Sequence, residues 1–401
     1  MLVIDFSLYK GREQTGVKHL FLSEYLQRFA PIIRSWCKTI TYVDCFSGPW
    51  QEQSEDLKDT SFSIALEELE KAREAAGGAL NLRAFFVERD ADAYRRLKDF
   101  ADRRGTEARV EVETRHDELE NRIEDIVRFV KAGPPKNFPF LFIDPTGWTG
   151  FGLEAIKPLL QLNPGEVLIN FMTGHIRRLV EHPEEGQREG FEALYGSTRC
   201  ARVLDRVEGK TGLEREDILV SEYLRAIRET GGYEHVSAAV VLNPSMDRTH
   251  FHLIFGTRNP KGLEVFKGAE KKAMEAMCQQ RAVVQDRKGD QRQTGLFDMV
   301  NEIPRHDRHY QSLREHYGKL AQRRMRRDLE SKRRVRYGEL YSSVLTVPLT
   351  FESDLKQWLK EWSEQGLLKI DGLQGRERVP KLDGDHHVVW TGPAVTATIA
   401  S

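Results

Sequence analysis

The first 172 residues alternate between short apolar runs and amphipathic helical patterns. Strand-like runs end at Asp44, Glu88, Asp117 and Asp144, and a fifth lies at 166–172. Between these runs, apolar residues recur every three or four positions, as they do along one face of a helix. Because strands that alternate with helices form right-handed βαβ units, this pattern predicts a parallel sheet covered by helices.

The first four of these runs each end in an acidic residue. The carboxyl ends of parallel strands meet at one edge of a sheet, where the ligands of open α/β folds bind. Four carboxylates at one edge repel one another unless a ligand uses them. Gly48 follows Asp44 in a glycine-proline turn, and a glycine allows backbone to approach a bound molecule closely. The sequence therefore predicts a ligand site at this edge.

Two further apolar runs, 236–242 and 250–257, are separated by only seven residues. That separation is too short for a helical crossover and favours an antiparallel pair. The predicted fold is therefore α/β and Rossmann-like, with a seven-stranded sheet that is parallel except for its last hairpin. The residues at about 175–230 are predicted to form a helical insertion after strand five.

Several motifs occur in an order that resembles a known family. They are KHLFLSEYLQRF, YVDCFSGPW, FFVERD, FIDPTGW, LINFM and HFHLIFGTRN, followed by a tail similar to a winged helix. The sheet and its acids resemble class I S-adenosylmethionine-dependent methyltransferases. More closely, the chain resembles the prokaryotic three-Cys-motif partner protein (TcmP) family. The resemblance implies S-adenosylmethionine as the cofactor and a partner protein that carries a three-cysteine motif, of the iron–sulfur kind.

The resemblance also assigns cofactor-binding residues. Asp44, Phe46 and Gly48 match the first methyltransferase motif, where the turn holds the methionine end of the cofactor. Glu88 is placed to accept hydrogen bonds from both ribose hydroxyls, which a carboxylate can do at once. Asp117 matches the acid that meets the adenine amino group.

A dinucleotide-binding dehydrogenase is the competing interpretation of this half of the chain. It requires G-x-G-x-x-G after the first strand and an acid about 20 residues further on. Here a single glycine follows Asp44, and the next strand-end acid, Glu88, lies 44 positions away. The spacing therefore disfavours the dehydrogenase.

The segment that begins at Asp144 resembles the Asp-Pro-Pro-aromatic motif of methyltransferases that act on amino groups of bases. By that resemblance, Asp144 and the Pro145 carbonyl accept hydrogen bonds from the target amine, and an aromatic ring stacks on the flipped base. Here Thr146 replaces the second proline, and the aromatic residue is displaced to Trp148. Trp148 could equally close the sheet edge as a loop residue. Asn170 on strand five could face the site or satisfy a neighbouring loop.

Three basic residues, His175, Arg177 and Arg178, follow strand five directly. They would suit an anionic substrate at the active edge. The alternative is that they are ordinary charges at the start of a helix, facing solvent.

Positive charge is concentrated in one later segment of a chain that is almost neutral overall. Residues 305–337 contain twelve Lys and Arg against four Asp and Glu, an excess of eight. A winged helix beside such a segment is typical of phosphate-backbone binding, although winged helices also bind proteins. The predicted nucleic-acid-binding residues are Arg323, Arg324, Arg326, Arg327, Arg333 and Arg334.

The length of 401 residues suits a large domain and a smaller one. We predict a methyltransferase-like domain at 1–278, a polar linker at 279–307, and a basic helix with a winged helix-turn-helix at 308–401. The four cysteines have no metal-ligand spacing, so we expect no metal and reduced thiols in a cytoplasmic protein. No apolar run approaches the ~18 residues of a membrane span.

Taken together, the sequence predicts an S-adenosylmethionine-dependent methyltransferase that acts on nucleic acid, with the amino group of a base as the favoured target. The alternative is a non-catalytic nucleic-acid-binding or scaffold protein that keeps the methyltransferase fold.

Overall fold

The computed structural model describes residues 4–48, 54, 56–107, 110–181, 187–290, 307–374, 377 and 379–393. The chain divides into two compact units, unit 1 at 1–305 and unit 2 at 306–401.

Unit 1 is built on a seven-stranded sheet. Its strands are β1 Thr39–Asp44, β2 Asn81–Glu88, β3 Glu111–His116, β4 Asn137–Ile143, β5 Glu166–Phe171, β6 His235–Leu242 and β7 Thr249–Thr257. The order in the sheet is β3-β2-β1-β4-β5-β7-β6. Strands β1 to β5 pair in parallel, whereas β7 is antiparallel to both β5 and β6. The predicted sheet is confirmed, and this strand order with a reversed β7 is the class I methyltransferase arrangement.

Ten helices of unit 1 are described. They are α1 Glu13–Ile33, α2 Ser61–Glu74, α3 Ala91–Glu107, α4 Ile123–Lys131, α5 Leu153–Leu160, α6 Thr173–Glu181, α7 Gln187–Tyr195, α8 Ser197–Val207, α9 Gly212–Gly231 and α10 Pro260–Asp290.

The central strands are buried on both faces, which explains why they are apolar at nearly every position. On one face, Tyr25 of α1 contacts Phe140 of β4 and Phe255 of β7, with ring centroids 5.3 and 5.2 Å apart. On the other face, Leu141 of β4 and Ile156 of α5 belong to one core cluster that also includes residues of α4, α7, α8 and α9.

Two element ends differ from the motifs that marked them. Helix α1 begins at Glu13, five residues before the first residue of the motif KHLFLSEYLQRF, and Trp36 lies beyond its end at Ile33 and is 48% exposed. Strand β3 ends at His116, one residue before the predicted end at Asp117.

The predicted linker at 279–307 was wrong in its first part. Helix α10 continues to Asp290, and within it the buried Arg281 donates hydrogen bonds to the backbone oxygens of Asn243 and Met246. Those contacts hold the polar segment in helical form. The rest of the predicted linker, 291–306, lies outside the described residues.

Unit 2 contains three helices and a small antiparallel sheet. Its elements in chain order are α11 Arg308–Lys332, β8 Arg334–Arg336, α12 Tyr337–Leu345, α13 Glu352–Glu364, β9 Leu368–Asp371 and β10 His387–Trp390. The strand order is β8-β10-β9. Leu313, Tyr317, Ala321, Met325 and Leu329 recur every four residues along α11 and form its buried face. No helix among the described residues of either unit is long and apolar enough to cross a bilayer.

A buried acid, Glu166, connects three elements of unit 1. The hydroxyls of Tyr25 and Thr257 donate to its carboxylate at 2.5 and 2.7 Å. Burial outweighs these bonds and raises the pKa of Glu166 to about 7. The folded protein therefore binds this proton more tightly than the unfolded chain does.

We expect the free energy of unfolding of unit 1 to fall as the pH rises from about 5.5 to 8, by about 2 kcal/mol from Glu166 alone. The sign follows because the raised pKa favours folding only while the carboxyl is protonated. Chemical denaturation at several pH values measures this slope, and Glu166→Gln should make it shallower. A free energy of unfolding that stays level or rises over this range would refute the expectation.

Candidate functional site

The four strand-end acids lie at one edge of the sheet. Asp44 and Glu88 are the last residues of β1 and β2, and Asp117 and Asp144 directly follow β3 and β4. Since the strand order is β3-β2-β1-β4, the four strand ends lie next to one another along this edge of the sheet. The edge also holds two cavities.

The first cavity, which we call the β2–β3 cavity, has a volume of about 370 Å³. The second, the β4–β5 cavity, has a volume of about 350 Å³. Residues that line the β2–β3 cavity include Cys45, Glu88, Asp117, Glu120, Gly147 and Gly150. Residues that line the β4–β5 cavity include Arg12, Lys18, Gly48, Asp144, Asn170 and His250. Phe46, Pro145 and Thr146 line both and form the wall between them.

Asp44 lines neither cavity and is completely buried. Its carboxylate accepts hydrogen bonds from the Ser61 hydroxyl at 2.7 Å and from the Phe46 N–H at 3.2 Å. Burial raises the pKa of Asp44 to about 6, against the effect of these donors. In the structure Asp44 thus joins the turn that contains Phe46 and Gly48 to the start of α2. Phe46 and Gly48, unlike Asp44, line a cavity.

Glu88 and Asp117 both line the β2–β3 cavity but differ in environment. Glu88 is 3% exposed, and its Oε1 accepts a hydrogen bond from the Asp90 N–H at 2.6 Å. Burial raises the pKa of Glu88. Asp117 is partly exposed and is paired with Arg122 at 2.7 Å. The hydrogen bond from Asn121, followed by that from the Glu118 N–H, lowers the pKa of Asp117.

Asp144 is held from two sides at the β4–β5 cavity. Its Oδ2 forms an ion pair with the Lys18 ammonium of α1, and its Oδ1 accepts a hydrogen bond from the Asn170 amide at 2.7 Å. The sequence suggested Asn170 only as a residue that could face the site, and Lys18 lies 126 positions before Asp144. The structure brings the three together.

Asn170 retains one unused acceptor. Its side chain is buried and donates through Nδ2 to Asp144, whereas its Oδ1 has no hydrogen-bond partner among the described residues. A buried carbonyl oxygen without a partner is unfavourable. Asn170 lines the β4–β5 cavity, and this oxygen is buried together with the rest of the side chain.

The structure does not bring Trp148 to either cavity. Its ring packs onto the core and against Gly190 of α7, where an added Cβ would lie 2.4 Å from the ring. Trp148 thus packs against the helical insertion, and the stacking role implied by the resemblance stays a prediction. Pro145 does line both cavities.

Five of the six predicted nucleic-acid-binding arginines contact other residues of unit 2. Arg324 donates to the Ser343 backbone oxygen and the Thr346 hydroxyl at 3.0 and 2.9 Å. Arg333 donates to the Gly392 backbone oxygen at 3.3 Å, and Arg334 is paired with Asp371 at 2.7 Å. Arg323, Arg326 and Arg327 are exposed on α11, where Arg326 pairs with Glu330 at 2.7 Å and Arg327 lies 3.7 Å from Asp328.

No protein-family model and no curated protein matches this chain. Among solved structures, it is similar to a protein described as an O-methyltransferase from Klebsiella pneumoniae, at 10% identity and a TM-score of 0.30, covering 59% of this chain and 80% of that one. It is also similar to a protein described as a caffeoyl-CoA O-methyltransferase from Staphylococcus aureus, at 13% identity and a TM-score of 0.27, covering 58% and 82%.

A third similar structure is loganic acid methyltransferase with SAH, at 10% identity and a TM-score of 0.29, covering 70% of this chain and 90% of that one. Superpositions this loose carry no argument about activity. The fold assignment rests on the order and direction of the strands in this chain.

Proposed function

We propose that this chain is an S-adenosylmethionine-dependent methyltransferase that acts on nucleic acid, with an amino group of a base as the favoured target. The observation that carries the proposal is the pair of adjoining cavities at the carboxyl edge of a methyltransferase-type sheet. One cavity contains Glu88 and Asp117, the other contains Asp144, and the two share Phe46 and Pro145.

The residues present suit the cofactor. The β2–β3 cavity has the size of small-ligand sites and offers two carboxylates to the hydroxyl and amino groups of a nucleoside. Gly48 lines the β4–β5 cavity, on the other side of the shared wall, and presents only its backbone there. Glu88 and Asp117 would hold the nucleoside, and the turn from Phe46 to Gly48 would hold the methionine part. When bound, the cofactor supplies a methyl group on a positively charged sulfur.

The residues of the β4–β5 cavity can orient an amine. Asp144 and the unused Oδ1 of Asn170 are two acceptors on one side of the cavity, and an amino group can donate one hydrogen to each. That arrangement aims the nitrogen lone pair away from them, toward the shared wall. The Asp144 carboxylate, which forms an ion pair with the Lys18 ammonium, would take the proton that the methylated amine releases.

Unit 2 supports nucleic acid as the substrate class. Its order of helix, strand, two helices and two strands, with β10 between β8 and β9, is that of a winged helix. Helix α11 bears exposed basic side chains on one face, including Lys319, Arg323 and Arg327 at intervals of four. Cations in such a row match the spacing of a phosphate backbone better than that of a compact metabolite.

The partner with a three-cysteine motif remains part of the proposal on the strength of the sequence resemblance alone. Co-purification of the chain with the product of a neighbouring gene would test it.

The enzyme proposal is tested by radiolabelled methyl transfer from S-adenosylmethionine to genomic DNA, total RNA and protein. Label in DNA or RNA supports it, and label confined to protein overturns the substrate class. Cofactor binding without transfer to any of them would instead support the non-catalytic scaffold. One observation favours that second function, because the Lys18–Asp144 ion pair occupies part of the carboxylate that an amine would need.

We expect replacement of Arg323, Arg326 and Arg327 by alanine to weaken binding of a DNA duplex and to reduce its dependence on salt. Each arginine that contacts a phosphate contributes about 0.9 to the slope of log affinity against log salt, so the slope should fall by up to about 2.7. Arg324 is left in place because it holds α11 to α12. Fluorescence anisotropy over a salt series measures the change.

The matched control for this triple variant replaces three exposed cations of α3, namely Arg95, Lys98 and Arg103. It should bind the duplex as the wild-type protein does. An equal loss in both variants would show that α11 has no special role and that only net charge matters.

A further inference from the structure

Two elements of unit 1 meet beside the mouth of the β4–β5 cavity. Strand β7 begins next to the end of β5, since Phe171 pairs with His252. Helix α6 starts two residues after β5 and packs directly on the beginning of β7. A Cβ added to Gly174 would lie only 3.1 Å from the backbone oxygen of His250. The turn between β6 and β7 and the first turns of α6 therefore border the same opening.

Basic residues outnumber acidic ones on these two elements, whose acids are Glu181 and Asp247. Helix α6 carries His175 and Arg178, and the β6–β7 turn leads into Arg248 and His250. His250 lines the cavity. Burial, followed by the nearby positive groups of His175, Arg248, Lys18 and Arg178, lowers the pKa of His250. The side chains that lower this pKa are all basic.

The two arginines are available to a ligand. Both are exposed, and among the described residues neither forms an ion pair with a carboxylate. The Nε of Arg178 donates to the Gly174 backbone oxygen at 3.2 Å, and this bond uses neither of the two terminal nitrogens. Arg177 differs from these two arginines in having an acidic partner, because it lies 3.9 Å from the buried Glu216.

The β6–β7 turn is held in place by a side chain of helix α10. Arg281 of α10 donates to the Met246 backbone oxygen at 2.8 Å and forms an ion pair with Asp247 at 2.6 Å. The Arg248 N–H donates to the Met246 backbone oxygen at 2.9 Å. The acid of the turn, Asp247, is therefore paired with Arg281, and Arg248 lies on the same ordered turn two residues before His250, which lines the cavity.

We propose that Arg178 and Arg248 form a phosphate-binding rim for the nucleotide chain whose base enters the β4–β5 cavity. The inference rests on the proposed function and specifies where unit 1 itself would hold the acceptor. A guanidinium binds phosphate oxygens through paired N–H groups, and two of them on separate elements can grip successive phosphates. The rim positions the substrate without reading its sequence, because phosphates are the same at every position.

The test uses the full chain with Arg323, Arg326 and Arg327 replaced by alanine, so that unit 2 contributes little. The probe is a fluorescein-labelled single-stranded DNA tetranucleotide of mixed sequence, and its binding is measured by anisotropy without S-adenosylmethionine. Adding Arg178→Ala and Arg248→Ala should weaken binding about tenfold and lower the salt slope by about 1.4, since each single-strand phosphate contact contributes about 0.7. Arg103→Ala, an exposed cation on α3, is the matched control and should have no effect.

Several outcomes would overturn the rim. They are binding within about twofold of the parent, an equal loss with Arg103→Ala, or displacement of the probe by inorganic phosphate as readily as by unlabelled tetranucleotide. Arg178→Lys with Arg248→Lys should recover most of the salt slope, because the charges remain. If the double alanine variant melts at a lower temperature than its parent, the two single variants replace it.

Titration with S-adenosylmethionine is done separately. If the cofactor fails to bind while tetranucleotide binding still depends on Arg178 and Arg248, the methyltransferase proposal fails and the rim stands. If the cofactor binds and the tetranucleotide does not, the rim fails and the enzyme proposal stands.

Discussion

Asp144→Ala should reduce methyl transfer by at least about a hundredfold while leaving the affinity for S-adenosylmethionine within about twofold. The carboxylate is one of two acceptors that can orient the target amine, and without it the nitrogen is no longer aimed at the methyl group. Cofactor affinity should persist because Asp144 lies in the β4–β5 cavity, on the far side of the Phe46 wall from Glu88. Radiolabel transfer and calorimetric titration measure the two quantities.

The interpretation of Asp144→Ala depends on Lys18, because the substitution leaves a buried ammonium, 9% exposed, without its counterion. Such a loss destabilises a protein by several kcal/mol when the remaining charge is buried, so the melting temperature must be recorded. Asp144→Asn keeps the shape of the side chain and should also be inactive. If either folded variant transfers methyl groups at the wild-type rate, Asp144 has no part in the reaction.

Glu88→Ala should weaken binding of S-adenosylmethionine by about 3 kcal/mol, which corresponds to a dissociation constant about a hundredfold higher. The reason is that a buried carboxylate at the end of β2 offers charged acceptors to two hydroxyls, and water in the enlarged cavity replaces them poorly. Glu88→Gln should lose less, since one acceptor oxygen remains. Calorimetric titration of the three proteins gives the order directly.

The control for Glu88 is Asp99→Ala, which removes an exposed acid from α3. It should leave the dissociation constant unchanged. An unchanged dissociation constant for Glu88→Ala would remove Glu88 from the cofactor site and, with it, the assignment of the β2–β3 cavity.

Local patterns were enough to predict the sheet of unit 1. Strands β4 and β5 are apolar at nearly every position because both faces are covered, and each ends at an abrupt change to polar or turn residues. The short separation of β6 from β7 identified the hairpin. Element ends were less predictable, because the position where α1 begins depends on contacts made by residues before Lys18 rather than on the apolar stripe.

The direction in which a site residue points could not be predicted from its place at a strand end. Asp44 turns inward because Ser61 and Tyr42 supply donors there, and Ser61 comes from the start of the next helix. Lys18 meets Asp144 only because α1 crosses the sheet edge. Trp148 meets Gly190 only because α7 belongs to the insertion. Each outcome depends on contacts between distant parts of the chain.

The arginines of unit 2 show the same limit. Arg323 and Arg324 are adjacent and chemically identical, but successive positions on a helix face different directions. Arg323 is exposed, whereas Arg324 reaches back to Ser343 and Thr346. A count of charges in the sequence therefore overstates how many are free to meet phosphates.

The wall of Phe46, Pro145 and Thr146 has two faces, each turned toward a different compartment. A ligand that shifts the Phe46 ring on one side reshapes the room on the other, so the two binding equilibria are thermodynamically linked. By thermodynamic reciprocity, the first ligand changes the binding free energy of the second by the same amount as the second changes that of the first. Binding of the methyl donor would then affect binding of the methyl acceptor through the position of the Phe46 ring alone, before any methyl transfer.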